Sequence, residues 1–213
     1  MPPKTTKQRS KSIYSVHPGV LTTQKWIAEL TSKTGRSLER WIALVRKNGP
    51  QDEAARREWL KAEHGLGTNA AWWIAERSCG KGEEAGDPDA YLRAAERYVE
   101  AMYSGAKAAL RPIHDRLIEL GRELGSDVRV CPCETIVPLY RNHVFAQIKP
   151  ATRTRIDFGL SLGAQRVPER LIDTGGLAKK DRITHRIAIG SVDEIDAEVE
   201  RWARVAYERD ARA

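Results

Sequence analysis

The stretch VCPCETIVPLYRNHVFAQIKP, residues 130–150, brings together two cysteines, a glutamate, a tyrosine, an arginine, a histidine and a lysine. Side chains of these types could hold a metal, form a redox pair or bind a small polar or anionic ligand. Residues 140–143 separate two apolar segments, which predicts a hairpin with Arg141-Asn142 at its tip, where asparagine tolerates left-handed backbone geometry. We expect this hairpin and Glu134 to form a ligand surface; the alternative is a structural network of the same side chains. The spacing identifies no nucleophile, base and acid, so no catalytic residue is predicted.

The two cysteines of this stretch are the candidates for metal or thiol chemistry. Cys131 and Cys133 are two positions apart, so on a strand both side chains would point to one face. A structural zinc site needs four ligands, usually from two separated pairs, and the sequence has no second pair at that spacing. A redox motif is C-x-x-C at a helix N-terminus, which differs from this pattern. Buried, unreactive thiols are the expectation; Cys131, Cys133 and His143 stay weak metal candidates, and no cofactor is predicted.

Three arginines beyond the hairpin indicate a basic cluster on a sheet. Arg153, Arg155 and Arg186 lie opposite the apolar faces of their predicted strands, together with Asp157 and Thr184. On an open sheet face such arginines usually form solvated ion pairs, here with Asp157. The alternative is a platform for phosphate, carboxylate or an RNA backbone, which the planar guanidinium binds in a bidentate way. The full set of predicted ligand-binding residues is Glu134, Tyr140, Arg141, Asn142, His143, Lys149, Arg153, Arg155 and Arg186.

The charge of the chain is unevenly distributed. The net charge is +7, and residues 1–86 hold 15 Lys/Arg against 9 Asp/Glu, whereas residues 87–213 hold 21 against 20. Residues 1–14 are predicted to be a disordered basic tail. A basic arm can contact nucleic acid through counterion release, and the alternative is a solvated chain end. The candidate nucleic-acid contacts are Lys4, Lys7, Arg9 and Lys11.

Composition also indicates where the protein works. No apolar run approaches the ~20 residues that span a bilayer, so no membrane partner is expected. The odd number of cysteines, three, fits a reducing compartment better than a disulfide framework, and a cytoplasmic location is predicted. The residues specify no oligomeric state.

The N-terminal part is predicted to be helical. Over residues 15–79, apolar residues recur at three- and four-residue spacing between glycine and proline breaks. Helices are expected at about 22–33, after the cap Ser37, from about Asp52, and after the cap Thr68. Five of the six tryptophans lie in this part, and such large side chains would compensate for the small core of a short domain.

The C-terminal part has a different periodicity. Residues 80–87, GKGEEAGD, are predicted to be a linker to a domain over 88–213 that starts with two amphipathic helices. Apolar and polar residues then alternate, most regularly at 155–162, which predicts antiparallel strands covered on one face by helices. A capping box at 191–194 predicts a last helix. Helices, strands and a helix in this order indicate an α+β protein.

Long motifs carry a family resemblance. SVHPG, TGRSLERW and HGLGTNAAWWIA resemble a small bacterial helical family of unknown function; AALRPIHDRL, VCPCETIVPLYRNHVFAQIKP and SVDEIDAEVERWARVAY resemble a second one that commonly follows it. The second domain is also distantly similar to YdhG-like domains, two helices followed by an antiparallel sheet and a final helix, some of which are described as frataxin-like iron chaperones. That resemblance implies an acidic ridge on the first helix, and here arginines interrupt it: the residues are Asp87, Asp89, Arg93, Glu96, Arg97 and Glu100.

Together these observations predict a two-domain α+β protein, a Trp-rich helical domain followed by a YdhG-like domain with an antiparallel sheet packed on helices. The leading hypothesis is non-catalytic binding of a small polar or anionic ligand on the C-terminal sheet and hairpin. One alternative is a nucleic-acid-associated accessory protein that uses the tail and the helical domain. The other is a metal (iron) chaperone-like protein.

Overall fold

A computed structural model describes residues 12–212, which form two compact units. The N-terminal unit is Val16–Ala94, and the C-terminal unit consists of residues 95–212 together with the described residues 12–15. The division between the units lies inside a helix, Pro88–Met102. The segment 80–87 contains a short 3-10 helix, Glu83–Ala85, and its assignment as a linker stays a prediction.

Four helices build most of the N-terminal unit: α1 (Pro18–Thr34), α2 (Leu38–Asn48), α3 (Glu53–His64) and α4 (Thr68–Ser78). Side-chain caps explain three of the four starts, since His17, Ser37 and Asp52 each accept a hydrogen bond from a backbone N–H of the first turn. The prediction of Thr68 as the fourth cap is wrong. The N-cap of α4 is Gly67, which has no side chain to bond the helix amides.

The N-terminal core is small and contains large side chains. Trp41, Leu60 and Ile74, from α2, α3 and α4, are at most 2% exposed. Trp26 and Trp59 are half-buried and pack against this core, as expected for a short domain. Adjacent helical positions point in different directions, so the side chains of Trp72 and Trp73 diverge. Trp72 is 41% exposed, whereas Trp73 contacts Trp26.

The C-terminal unit begins with the end of α5 (Pro88–Met102), a 3-10 helix (Gly105–Leu110) and α6 (Arg111–Glu123). Six strands follow: β1 (Arg129–Val130), β2 (Val137–Tyr140), β3 (Val144–Pro150), β4 (Ile156–Leu160), β5 (Ile172–Asp173) and β6 (His185–Ile189). A short helix, α7 (Gly176–Lys179), precedes β6, and α8 (Ala197–Ala211) ends the domain. The predicted α+β class is therefore confirmed.

All neighbouring strands are antiparallel, in the order β1-β2-β3-β4-β6-β5. Ile148 of β3, Phe158 of β4 and Ile187 of β6 lie side by side and are fully buried. The next row has Gln147, Gly159 and Arg186 on the opposite face. The alternation in the sequence thus separates a core face from a polar face.

Helix α8 packs on β3 and β4, and its start differs from the prediction. The capping box at 191–194 forms a separate 3-10 helix, Val192–Glu194. Helix α8 begins later because the carboxylate of Asp196 accepts hydrogen bonds from the N–H groups of Glu198 and Val199. From α8, Trp202, Ala206 and Tyr207 enter the core.

Candidate functional site

The antiparallel topology divides the predicted ligand-binding residues between the two ends of the sheet. The β1–β2 turn and the β3–β4 turn lie at one end, and the β2–β3 hairpin lies at the other, because consecutive strands reverse direction. Glu134 and Arg153 are in the two turns of the first end. Arg141, Asn142 and His143 form the hairpin tip at the second end, where the sequence predicted a hairpin.

At the first end, a cavity of about 600 Å³ lies between the two turns and the segment 101–107. We call this cavity the cleft. Lys107, Glu134, Lys149 and Arg153 line it, together with the hydroxyl-bearing Ser104 and Thr135 and several apolar side chains. Glu134, Lys149 and Arg153 are exposed. The cleft therefore joins three of the nine predicted ligand-binding residues, with three cations and one carboxylate.

Local hydrogen bonds fix the elements that surround the cleft. The β1–β2 turn is closed by the N–H of Cys133 bonding to the carbonyl of Ile136 at 2.8 Å, and the β3–β4 turn by Thr152 N–H and Arg155 O at 3.2 Å. Lys107 Nζ donates to the carbonyl oxygen of Pro150 at 2.7 Å. That bond connects the 3-10 helix Gly105–Leu110 to the last residue of β3 and places the ammonium group of Lys107 at the cleft wall.

At the opposite end, the carboxylate of Asp210 organises the hairpin tip. This side chain is only 3% exposed, and its Oδ2 accepts from the N–H groups of Asn142 at 2.8 Å and His143 at 2.9 Å. The ring Nδ1 of His143 lies 3.2 Å from Oδ1, and Arg182 Nη1 lies 3.6 Å from the same oxygen. Backbone and side-chain groups of the tip are thus used to join the hairpin to α8.

Arg141 is part of the same end and is fully engaged. Its Nε donates to Asp127 Oδ2 at 2.7 Å, and its guanidinium lies 4.1 Å from the ring centroid of Tyr207. The Tyr207 hydroxyl donates to Asp127 Oδ1 at 2.6 Å. Hydrogen bonds from Tyr207 and Arg141 lower the pKa of Asp127, and the hydrogen bond to Asp127 raises the pKa of Tyr207. The sequence left two interpretations of the hairpin residues open, a ligand surface or a structural network. The contacts of Arg141, Asn142 and His143 match the structural network.

The arginines of the sheet face also have carboxylate partners. Arg155 Nε and Arg186 Nη1 lie 2.9 and 3.0 Å from the same oxygen of Asp157. Arg153 is not part of this cluster, because it lies in the β3–β4 turn and lines the cleft. Tyr140 is half-buried beneath the guanidinium of Arg129, 5.8 Å from the ring centroid, and burial raises its pKa to about 12.

The thiols of the first end lie in an apolar environment. Cys131 is fully buried and Cys133 is half-buried. Burial raises the pKa of Cys131 to about 12 and also raises that of Cys133, so both are thiols at neutral pH. His143 lies at the other end of the sheet, away from both. Within residues 12–212, no group of three or more His, Cys, Asp or Glu side chains has an arrangement that could hold a metal ion.

Two further predictions concern the chain as a whole. The basic residues Lys4, Lys7, Arg9 and Lys11 lie outside the described residues, so the structure places none of them. In the described part of the chain, every helix is too short or too polar to cross a membrane.

Sequence reasoning missed the partners that decide the roles of these residues. Lys107 belongs to a segment for which no helix or strand was predicted. It lies at the cleft because Pro150, 43 positions later in the chain, accepts its hydrogen bond. Asp210 is 68 positions from Asn142, on a helix whose sequence marks it only as one of several acids. No local spacing signal identifies either residue.

Comparison with protein families agrees with the two-domain division of the motifs. The family described as "Domain of unknown function (DUF4287)" matches residues 22–77, and that described as "Domain of unknown function (DUF5655)" matches residues 99–210, more than half of the chain. No curated protein and no solved structure matches significantly. The predicted tandem of two domains of unknown function is confirmed, and the chain belongs to the DUF5655 family, with a DUF4287 domain preceding the family domain.

Proposed function

We propose that this protein is a non-catalytic binding protein that holds a small polar or anionic ligand in the cleft lined by Lys107, Glu134, Lys149 and Arg153. The observation that carries the proposal is the convergence of Lys149 and Arg153 on one cavity. Among the described residues, neither cation has a carboxylate within ion-pair distance, whereas many other arginines of this unit have one. Two cations beside a cavity of about 600 Å³ match a ligand carrying carboxylate or phosphate groups.

The pairing of Asp157 explains why Lys149 is left for a ligand. Lys149 and Asp157 are direct neighbours across β3 and β4, a position in which opposite charges normally interact. Asp157 instead accepts hydrogen bonds from two arginines, Arg155 and Arg186. The lysine has no carboxylate partner in the described chain, and its ammonium group is exposed at the cleft.

The remaining lining residues favour binding over catalysis. They include no histidine and no cysteine, and the hydroxyl of Ser104 donates to the carbonyl oxygen of Ala101 at 2.9 Å and not to Glu134, so among the described residues no hydrogen-bonded pair of nucleophile and base lines the cleft. Glu134 adds one acceptor for a ligand hydroxyl or amine beside the two cations. This combination suits a small molecule with both an acidic group and a neutral polar group.

The relationship to YdhG-like domains and the cytoplasmic location belong to the same proposal. Two helices before the sheet and one long helix after it support the relationship. Three cysteines without disulfide bonds support a reducing compartment. An iron-chaperone role has less support, because Glu100 of α5 is paired with Arg111.

The test begins with the mass of the purified full-length chain under native and denaturing conditions, which reveals a ligand that co-purifies. The ¹⁵N-labelled chain is then titrated with inorganic phosphate and with succinate at constant ionic strength. We expect saturable shifts of the amide signals at 101–107, 133–136 and 149–155, while those at 141–143 stay unchanged. The exposed positions of the two cations make them removable without unfolding the domain.

The variant Lys149→Gln/Arg153→Gln is expected to weaken the binding of these anions by about tenfold or more, because two charge-assisted contacts are lost. The matched control, Arg166→Gln/Lys179→Gln, removes the same charge from exposed positions that do not line the cleft. Equal weakening in both variants would show a general charge effect and contradict the site. Absence of saturable binding of either anion would reject the proposal.

A further inference from the structure

A second cavity, of about 490 Å³, lies within the N-terminal unit and is lined only by residues of that unit. We propose that it binds a small organic anion with a planar ring, of the class of aryl phosphates and aromatic carboxylates. The volume is within the range of about 300–1,000 Å³ that is typical of small-molecule sites. This inference goes beyond the function proposed for the C-terminal cleft and does not depend on it.

Apolar and aromatic side chains supply a surface for the ring. Leu30, Trp41 and Leu66 line the cavity and are buried, and Trp26 is half-buried at its edge. The ring of His64 contacts two tryptophans, with its centroid 5.4 Å from that of Trp41 and 4.5 Å from that of Trp59. A planar group placed here would contact chiefly the half-buried Trp26, because Leu30 and Trp41 are only 1% and 2% exposed and contribute little open surface to the wall.

Two cations at the same cavity supply the anion-binding part. The Arg36 guanidinium lies over the ring of Trp41, 4.8 Å from its centroid, and among the described residues it has no carboxylate within ion-pair distance. The second cation, Lys33, pairs with Glu29 at 2.6 Å in an exposed contact. Exposed pairs of this kind contribute little, so Lys33 can turn to a ligand at small cost. Stacking on Trp41 keeps the edge of the Arg36 fork available for a phosphate or carboxylate.

The start of α4 adds positive potential to this arrangement. Gly65, Leu66 and Gly67 line the cavity, and α4 begins directly after Gly67. Because no side chain caps the helix, the amides of its first turn are not bonded by a capping oxygen. Gly67 and Ala70, at the start of α4, line the same cavity as Lys33 and Arg36, so the helix terminus adds to the positive potential there.

Two glycines with left-handed backbone allow the chain to form the walls. Gly35 at φ +74° ends α1 beside Arg36, and Gly65 at φ +61° ends α3. After Gly65 the amide of Leu66 bonds back to the carbonyl of Leu60 at 3.2 Å, which turns the Leu66 side chain into the core. The ends of α1 and α3 therefore meet around one opening.

The experiment uses the full-length ¹⁵N-labelled chain and three probes: phenyl phosphate, inorganic phosphate and benzyl alcohol. All titrations are done in the Lys149→Gln/Arg153→Gln background, so that the C-terminal cleft does not contribute. We expect phenyl phosphate to shift the amide signals of residues 33–36 and 64–70 with a dissociation constant in the millimolar range or below. Inorganic phosphate and benzyl alcohol, which have only the charge or only the ring, are expected to bind at least about tenfold more weakly.

Two variants, each with a matched control, separate binding from folding. Arg36→Gln is expected to weaken phenyl phosphate binding by about tenfold, whereas Arg40→Gln, an exposed arginine of α2 that does not line the cavity, leaves it unchanged. Gly67→Asp places a carboxylate at the N-cap, where the backbone is extended and an added Cβ meets no atom within 4 Å. It should preserve or raise thermal stability and abolish binding, because the new carboxylate both caps α4 and repels the anion. Gly67→Ala, without a charge, should retain binding.

Three results would overturn the proposal. The first is that phenyl phosphate produces no saturable shifts at the cavity. The second is that Gly67→Asp, while folded, binds phenyl phosphate as well as the unmodified chain does. The third is that inorganic phosphate or benzyl alcohol binds as tightly as phenyl phosphate, since the ring or the cations, respectively, would then have no role.

Discussion

The buried histidine of α6 predicts a specific loss of stability in mild acid. His114 is 1% exposed, its ring packs against Tyr103 in a tilted arrangement with centroids 4.5 Å apart, and neither ring nitrogen has a hydrogen-bond partner among the described residues. Burial lowers the pKa of His114 from 6.5 to about 4. The folded domain therefore keeps this histidine neutral at pH values at which the unfolded chain protonates it.

The sign and size of the effect follow from this difference. As pH falls below 6.5, the unfolded state binds a proton that the folded state does not, so the free energy of unfolding decreases. The loss continues until the folded state is protonated as well, near pH 4, and totals about 3 kcal/mol at about 1.4 kcal/mol for each pH unit. Between pH 7 and pH 5 the expected loss from His114 alone is about 2 kcal/mol.

The assay compares the unmodified chain with His114→Phe, which keeps a planar ring and removes the titrating group. Urea unfolding is followed through the amide signals of β3 and β4, so that the C-terminal unit is observed separately. Other titrating groups are common to both proteins, and the difference between their pH profiles isolates His114. We expect the free energy of unfolding of the unmodified chain to fall by about 2 kcal/mol more than that of His114→Phe between pH 7 and pH 5. Parallel profiles would refute the argument, whatever the absolute stability of the variant.

Two further substitutions test the packing of the C-terminal unit. Asp210→Ala leaves two backbone N–H groups of the hairpin tip without their buried acceptor and should lower the free energy of unfolding by about 3 kcal/mol, measured by urea denaturation. Gly176→Ala should be more disruptive, because a Cβ there would clash with the backbone carbonyl of Ile183, which cannot move as a side chain would. The control is Gly190→Ala, where the nearest atom to an added Cβ is 3.4 Å away. Equal melting temperatures of the two variants would contradict this prediction.

The regular elements could be predicted because their signals are local. Alternation over Ile156, Phe158 and Leu160 predicted a strand with one core face, and all three are fully buried. The start of α1 was predicted four residues too late, at about Thr22. The helix begins at Pro18 because the Nδ1 of His17 accepts a hydrogen bond from Gly19 N–H, and histidine is a less common cap than serine or aspartate.

The roles of the polar residues could not be predicted, because they depend on distant partners. The hairpin tip at Arg141 and Asn142 was correctly located, but its contacts with Asp210 come from a helix at the other end of the domain sequence. Arg153 and Arg155 have equivalent positions in the pattern, yet only Arg155 pairs with Asp157. Arg153 and Arg155 are only two positions apart, yet one lines the cleft and the other forms a surface ion pair. Periodicity gives both the same face of the strand and therefore cannot distinguish these roles.

Unpaired cations alone do not identify a binding site in this protein. Each unit holds slightly more basic than acidic side chains, 12 against 11 in Val16–Ala94 and 20 against 18 in residues 95–212, so some cations are left without a carboxylate in either unit. Composition does not account for a cavity beside Arg36 with Trp41 and Leu66 in its wall. For the N-terminal unit, the comparison between phenyl phosphate and inorganic phosphate is thus the decisive one, since only the ring tests the cavity. No aromatic side chain of the described residues lines the C-terminal cleft, so there the sharper test compares the loss of its two cations, Lys149 and Arg153, with the loss of the two control cations.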